Sequence, residues 1–273
     1  MSGVLKVFCD PLGDFVVLPA KPRRVVCLAS GLTEALVHMG YAHAVAGISQ
    51  FCPRYVPELS APIVGDYLSF DEEALRRIQP DLVIITTGIQ RKLARRLHQA
   101  GYPVYALPLP NSLHGVLENV ILLGALMDDM PAARALVDTW QRAFMEASAA
   151  VPAPRPRVYT ELWFGRHARM AGSLTFVHDL VTAAGGDNIF SDARAGYLPL
   201  DLEEAARRQP EIFLCFSEPE HPVQGEALQA ERGWSYRVIQ ADVTPQHNLI
   251  HDGPSMMRAL HWLRSAIHAE SSR

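Results

Sequence analysis

Short apolar runs alternate with segments of helical periodicity along most of the chain. The run Val25–Ala29 is brief and β-branched, which is typical of a strand in a covered sheet. Ser30–Glu34 is predicted as a loop with the helix N-cap. Strands are also predicted at 44–49, 82–86, 104–107, 157–161 and 237–240, and helices at 35–40, 72–78, 89–100, 174–184 and 254–268. This alternation predicts an α/β protein with mainly parallel sheets.

One helix–strand unit occurs twice. Residues 73–85 read EALRRIQPDLVII, and residues 203–214 read EEAARRQPEIFL. In both copies a glutamate opens a short helix, Arg-Arg lies near its end, Gln-Pro breaks it, and an acidic residue leads into an apolar strand. The repetition predicts two related Rossmann-like lobes with a ligand cleft between them, since small ligands favour domain interfaces.

A long helical stretch separates the two copies. Apolar residues at helical spacing run through 112–149, and Pro131 after Asp128-Asp129 predicts either two abutting helices or one kinked helix. We therefore expect an N-terminal α/β lobe at 1–110, a connecting helical segment at 111–150 and a C-terminal α/β lobe at 151–273.

Composition narrows the classes of function. A net charge of −4 without a dense basic stripe argues against a nucleic-acid partner. No apolar run has the length of a membrane span, and the start has no signal-peptide core, so the sequence as it stands predicts a cytoplasmic protein. A leader missing from the sequence would instead place the native protein in the periplasm or another extracytoplasmic space. The four cysteines lack CxxC spacing and support neither a zinc site nor disulfides.

Several stretches resemble the helical-backbone substrate-binding proteins of ABC importers, and most of all the vitamin B12-binding and iron-siderophore-binding members. They are 24–34 (RVVCLASGLTE), 65–67 (GDY) leading to Glu73 and 80–83 (PDLV), 185–190 (GGDNIF) and Gly253-Pro254. The resemblance covers about residues 7 to 265. It implies two lobes joined by a rigid helix and a metal chelate bound in the cleft. Cobalamin or a related corrinoid is expected first, with a ferric siderophore or heme as alternatives and no intrinsic cofactor.

The resemblance also implies a membrane partner. In this class a surface carboxylate on each lobe docks onto arginines of an ABC permease dimer, and the matching positions are Glu73 and Glu203. The alternative is that both are solvated glutamates favoured by the helix dipole in a first turn. We expect a monomer that does not span the membrane.

Aromatic side chains are the predicted ligand contacts, because a flat macrocycle needs aromatic platforms and a few donors. The candidates follow strands or precede the repeated helices: Phe51, Tyr67, Trp163, Phe164 and Tyr197. Tyr67 and Tyr197 lie at equivalent places before the two copies. Each candidate has the alternative of ordinary packing in the core.

Polar candidates complete the predicted site. Ser30, at a strand–helix junction, offers a backbone N–H to a ligand. His247 and His251 would share a face if their loop were helical, and His247 is the candidate axial ligand to a chelated cobalt or iron. A histidine that only hydrogen-bonds its own loop is the alternative.

Enzyme motifs are absent from the sequence. It contains no GxSxG, Walker loop, HExxH or GxGxxG, and we expect no enzyme activity. The predicted function is a solute-binding protein that captures a metal chelate for an ABC transporter. Two alternatives stay open: a cytosolic corrinoid or heme carrier or sensor without a permease, and a chelatase-like metal-inserting enzyme with His247 or His251 as base.

Overall fold

A computed structural model describes residues 3–149, 151, 153–163 and 167–269. By internal packing the chain divides into two compact units. Unit 1 comprises Met1–Pro110, His114–Trp140 and Asp252–Pro254, and unit 2 comprises Asn111–Leu113, Gln141–His251 and Ser255–Arg273.

Unit 1 is built on a five-stranded parallel sheet. Its strands are β3 (Val25–Cys27), β4 (Val45–Ser49), β5 (Ile63–Gly65), β6 (Leu82–Thr86) and β7 (Val104–Leu107). Their order across the sheet is β5-β4-β3-β6-β7. All five residues of β6 are buried, as expected for a central strand with helices on both faces. An antiparallel hairpin, β1 (Val4–Cys9) and β2 (Asp14–Pro19), precedes the sheet.

Unit 1 contains three helices that each follow a strand: α1 (Ser30–His38), α2 (Glu72–Ile78) and α3 (Arg91–Gln99). The next helices along the chain are α4 (Leu113–Leu126) and α5 (Met130–Ala149). The predicted connector at 112–149 is therefore two helices, and Asp128 between them has a φ of 54°. The division between the units falls within α5. The domain boundaries at 110 and 150 remain predictions.

Unit 2 has a six-stranded mixed sheet with the order β11-β9-β8-β12-β13, and β10 also pairs with β8. Its strands are β8 (Arg157–Leu162), β9 (Arg169–Ala171), β10 (Asp187–Asn188), β11 (Tyr197–Pro199), β12 (Ile212–Ser217) and β13 (Arg237–Asp242). Strands β8, β12 and β13 are parallel, whereas β9 and β11 are antiparallel to their neighbours. Its helices are α6 (Phe176–Ala183), α7 (Leu202–Arg207), α8 (Gly225–Glu231) and α9 (Met256–His268).

The α/β class and the mainly parallel sheets are confirmed. One local prediction is wrong: residues 30–34 are not a loop but the first turns of α1. Strand β3 ends at Cys27, because the chain must turn into α1. Ala29 is still extended, and the helix begins at Ser30. All five residues from Ser30 to Glu34 are buried, so packing outweighs the local loop preference of Ser-Gly.

Candidate functional site

An aromatic pair lies at the carboxyl edge of the parallel sheet in unit 1. Phe51 follows β4, and Tyr67 lies in the loop after β5, so adjacent strands deliver both rings to one edge. The rings stack with their centroids 4.5 Å apart and an interplanar angle of 15°. The guanidinium carbon of Arg54 lies 5.5 Å from the centroid of Phe51. Two neighbouring strands therefore bring two aromatic rings into contact at this edge of the sheet.

Polar groups adjoin the Tyr67 hydroxyl. Ser30, at the start of α1, places its Oγ 3.5 Å from that oxygen. Burial, with a smaller effect of the negative charge of Asp252, raises the pKa of Tyr67 to about 12. The phenol therefore stays protonated throughout the neutral range and is able to donate a hydrogen bond to a ligand.

Gly31 is required at its position by a close approach of the chain. A Cβ there would lie 2.7 Å from the carbonyl carbon of Asp252 and 2.8 Å from its oxygen. The segment Asp252–Pro254 belongs to unit 1, although most of the chain around it belongs to unit 2. A glycine in the second position of α1 thus brings Asp252 next to Ser30 and Tyr67.

The loop that carries Tyr67 is fixed by its own hydrogen bonds. Asp66 Oδ1 accepts from the backbone N–H groups of Leu68 at 2.6 Å and Ser69 at 2.7 Å. Burial raises the pKa of Asp66, but these hydrogen bonds outweigh it and the pKa is lowered overall. The Tyr67 ring is therefore presented by an ordered turn.

Three exposed aliphatic side chains extend the same edge. Leu68 follows β5, Ile89 follows β6 and Leu109 follows β7. Leu109 is held in place because its N–H donates to Thr87 Oγ1 at 2.7 Å. Sequence reasoning missed these residues. The available signal was an apolar residue shortly after the predicted strands 82–86 and 104–107, and the strand before Leu68 was not predicted.

Unit 2 has its own aromatic pair. Trp163 directly follows β8, and Tyr197 opens β11. The ring centroids are 4.3 Å apart with an interplanar angle of 67°. Trp163 has a φ of 54°, a left-handed conformation that is uncommon for a bulky side chain. Phe164, the next predicted contact, lies outside the described residues.

Tyr67 and Tyr197 occupy matching positions. Each is four residues before an aspartate that caps the following helix. Asp71 Oδ1 accepts from the N–H of Ala74, and Asp201 Oδ1 accepts from the N–H of Glu204, both at 2.9 Å. The sequence correspondence between the two tyrosines therefore has a counterpart in backbone structure.

His247 lies after β13, near the carboxyl edge of the sheet in unit 2. Its Nδ1 is 3.1 Å from Asp242 Oδ1, which also accepts from Thr244 Oγ1 at 2.7 Å. Its ring packs against Trp262 of α9, with centroids 4.4 Å apart. When Nδ1 carries the proton and donates to Asp242, Nε2 keeps a lone pair available to a metal.

The helical arrangement considered for His247 and His251 is absent. Residues 244–248 form a turn closed by the N–H groups of His247 and Asn248 donating to Thr244 O, and His251 is buried. Across the described residues, no group of three or more His, Cys, Asp or Glu side chains is placed to hold a metal ion.

Glu73 and Glu203 both lie in the first turn of an exposed helix. The Glu73 carboxylate is 2.9 Å from the guanidinium of Arg77, one turn later. In the part of the chain that the structure describes, Glu203 is exposed and forms no ion pair, whereas Glu204 accepts from Arg208 at 2.6 Å. Two matching carboxylates are therefore presented to solvent, one of them paired within its helix.

The chain consists of two α/β units, and each has an aromatic pair near one edge of a sheet that contains parallel strands. The chain belongs to the periplasmic binding protein family, whose model matches residues 25–236. No helix in the described ranges combines the length and apolar character needed to cross a membrane.

Curated relatives carry cobalamin or vitamin B12 in their names. The chain is 31% identical over 213 residues to the cobalamin-binding protein of Halobacterium salinarum, covering 75% of this chain but only 57% of that relative. It is 26% identical over 220 residues to the vitamin B12-binding protein of Vibrio campbellii, covering 77% of this chain and 75% of the relative.

A solved structure shows the same fold. The periplasmic heme-binding protein HutB of Vibrio cholerae superposes with a TM-score of 0.75 at 19% identity, covering 90% of this chain and 98% of that one. At this identity the likeness establishes the fold alone. The proteins compared here are named as binding proteins, in agreement with the binding role expected from the sequence.

Proposed function

We propose that this protein is the solute-binding protein of an ABC importer and that it captures a corrinoid of the cobalamin type. The observation that carries the proposal is the aromatic pair at the sheet edge of each unit, Phe51–Tyr67 and Trp163–Tyr197. A corrin ring has wide apolar faces, which aromatic side chains bind by stacking and edge contacts. The names of the Halobacterium and Vibrio relatives support a corrinoid over other chelates.

Neutral polar groups beside the unit 1 pair suit the rim of a corrinoid. The Tyr67 phenol and the Ser30 hydroxyl are uncharged donors and acceptors, and both match amide groups. The carboxylate of Asp252 lies against Gly31 nearby and would accept from an amide N–H while repelling a ligand carboxylate. Amide-rimmed corrinoids are therefore favoured over carboxylate-rimmed porphyrins.

His247 is proposed as an axial ligand to the chelated metal. The contact between its Nδ1 and Asp242 is the arrangement that orients metal-binding imidazoles in proteins. Heme is the second candidate ligand, because His247 would bind its metal in the same axial way. HutB, which shares the fold, is named as a heme-binding protein.

Docking to a permease is proposed for Glu73 and Glu203. Both carboxylates are exposed and lie at matching positions of the repeated helix, so each unit would offer one carboxylate to one permease subunit. This role places the working protein outside the cytoplasm, as a monomer before docking.

Charge reversal, E73R with E203R, is expected to abolish association with the reconstituted permease while leaving ligand affinity unchanged. Loss of both properties would contradict the docking role.

The ligand is tested by titration. Purified protein is mixed with cyanocobalamin, cobinamide, hemin and a ferric hydroxamate, and binding is followed by tryptophan fluorescence and calorimetry. Saturable 1:1 binding of a corrinoid, tighter than that of hemin, is expected. Preference for hemin would transfer the proposal to heme, and failure of all four ligands would overturn it.

Matched variants test the aromatic pairs. Tyr67→Ala and Tyr197→Ala are each expected to weaken corrinoid binding by about tenfold or more, because each removes a ring contact worth roughly 1.5 kcal/mol. The controls Tyr67→Phe and Tyr197→Phe keep the ring and are expected to stay within a few-fold of the parent. If only one alanine variant loses affinity, a binding role for the other tyrosine is excluded.

Cobinamide tests His247 directly, because it lacks the tethered base of cobalamin and leaves axial positions open. Coordination by His247 is expected to shift the visible spectrum of bound cobinamide, and His247→Ala is expected to remove the shift without abolishing 1:1 binding. An unshifted spectrum in the parent protein would exclude the axial role.

A further inference from the structure

The outer face of the N-terminal hairpin is apolar and uncovered in unit 1. In the β1–β2 ladder Phe8 pairs with Phe15, and Lys6 pairs with Val17, so these side chains share one face with Val4. The four apolar members are between 45% and 70% exposed. The two phenylalanine rings meet edge to face, with centroids 5.1 Å apart. We call these five residues the hairpin face.

The opposite side of the hairpin explains why this face points outward. Cys9, Val16 and Leu18 are buried, and the Cys9 Sγ accepts from the N–H of Ala106 in β7. The hairpin is therefore docked on unit 1 through one side, and its orientation is fixed. Exposure of the hairpin face follows from that register.

Helix α3 carries an exposed cationic face. Arg91, Lys92, Arg95 and Arg96 are exposed, while Leu93, Ala94 and Leu97 are buried. In the described chain none of these four cations forms an ion pair with a carboxylate. Long basic side chains without acidic partners present a local positive charge, which contrasts with the net charge of −4 on the whole chain.

The hairpin and helix α3 are in contact. Arg91, Arg95 and His98 follow the i, i+4, i+7 stripe of α3, and His98 Nε2 lies 3.0 Å from Asp14 Oδ2 at the hairpin turn. The hydrogen bond with His98 lowers the pKa of Asp14. Hairpin and helix together carry five cations, Lys6 and the four of α3, against the carboxylates of Asp10 and Asp14.

We propose that the hairpin face and the α3 cations form one surface that binds the headgroup region of an anionic phospholipid bilayer. Exposed phenylalanine and valine beside lysine and arginine is the combination that holds peripheral proteins at such an interface. An acidic protein would satisfy the cations but not the apolar hairpin face. A second copy of the chain would cover the hairpin face but leave the cations unmatched. The proposal is independent of the ligand.

Sedimentation with vesicles tests the surface. The full chain is mixed with vesicles of phosphatidylcholine alone or of phosphatidylcholine with phosphatidylglycerol, at low and high salt. Binding to the anionic vesicles only, weakened by salt, is expected. R91A/R95A is expected to weaken binding roughly thirtyfold, since each cation near an anionic surface contributes about a factor of five. F8S/F15S is expected to weaken it as well.

The control is R76A/R77A, which removes the same charge from α2, where both arginines are paired with glutamates. It is expected to retain most of the binding. Circular dichroism verifies that each variant is folded. Equal binding to both kinds of vesicle, no binding to either, or equal weakening by the control would overturn the proposal. A concentration-dependent dimer that F8S/F15S dissociates, without vesicle binding, would assign the hairpin face to a second copy instead.

Discussion

The two units share one backbone arrangement around the repeated helix–strand segment. In unit 1 the Arg24 guanidinium donates to Gln79 O at 2.8 Å, and the Asp81 carboxylate accepts from the N–H of Arg24. In unit 2 Arg157 donates to Gln209 O at 3.3 Å, and Glu211 accepts from the N–H of Arg157. We call each set a clasp. The repeat has an acidic residue after its proline, Asp81 in unit 1 and Glu211 in unit 2, because this residue anchors the start of the neighbouring strand.

The strands behind the clasps differ. Aligning Arg24 with Arg157 places Leu28 of unit 1 opposite Glu161 of unit 2. Leu28 is a buried apolar residue. Glu161 is also fully buried, but it accepts from Arg232 at 2.7 and 2.9 Å and from the Tyr159 hydroxyl at 2.9 Å.

The buried ion pair affects its surroundings. Burial and the nearby Glu161 carboxylate raise the pKa of the Cys215 thiol to about 12, so this cysteine stays protonated. Burial opposes the charge of Arg232, but its hydrogen bonds with Glu161 prevail and its pKa is raised. The two units therefore share the backbone clasp, whereas the buried side chains next to the clasp are specific to each unit.

The largest effect is expected from breaking that ion pair. Arg232→Met would leave the Glu161 carboxylate buried without its cation and lower the free energy of unfolding by about 3–5 kcal/mol. The double variant E161L/R232M, which brings unit 2 closer to the apolar pattern of unit 1, is expected to recover most of the loss. Urea unfolding measures both. An Arg232→Met variant as stable as the parent protein would show that the Glu161–Arg232 ion pair is dispensable for stability.

Removing the acid of each clasp is expected to have the next largest effect. Asp81 accepts from two backbone N–H groups, those of Arg23 and Arg24, whereas Glu211 accepts from one. Asp81→Ala is therefore expected to cost about 2–3 kcal/mol and Glu211→Ala about 1.5 kcal/mol, given the usual strength of charged hydrogen bonds. Denaturation midpoints compare them. The reverse order would contradict the assignment of these bonds.

The helix ends offer a gain of stability instead of a loss. Gln79 and Gln209 both have a φ of 50°, the left-handed conformation in which glycine is favoured. Gln79→Gly and Gln209→Gly are each expected to raise the free energy of unfolding by about 1 kcal/mol. The controls are Gln79→Ala and Gln209→Ala, because alanine has no preference for the left-handed conformation. A gain in only one copy would show that the two turns are not equivalent.

Much of the fold was predictable, because local patterns determine it. The apolar strands and the Gln-Pro breaks identified the repeated unit, and Gly40 and Gly185, with φ of 90° and 94°, marked helix ends. The N-terminal hairpin was not predicted, since two short strands with exposed apolar residues give little periodicity. The predicted start of α1 was wrong, because the burial of Ser30 depends on tertiary packing.

The candidate site was partly predictable. Phe51 and Trp163 were predicted after strands, and Tyr67 and Tyr197 before the repeated helices. The structure brings Phe51 to Tyr67 and Trp163 to Tyr197, and the ligand roles of all four stay predictions. The ion pair of Glu161 was not predictable, because Arg232 is 71 residues away in sequence. Such a partner follows only from the topology that brings the two residues together.

The smallest expected effect separates the two surface carboxylates. Glu73→Ala and Glu203→Ala both remove a first-turn charge from a helix, so the helix-dipole contribution is common to both. Only Glu73 also loses an ion pair, the i, i+4 contact with the exposed Arg77. Glu73→Ala is therefore expected to cost about 0.4 kcal/mol more than Glu203→Ala at low salt, and the difference should vanish at high salt. Equal costs at low salt would show that the ion pair leaves Glu73 as available to a permease as Glu203.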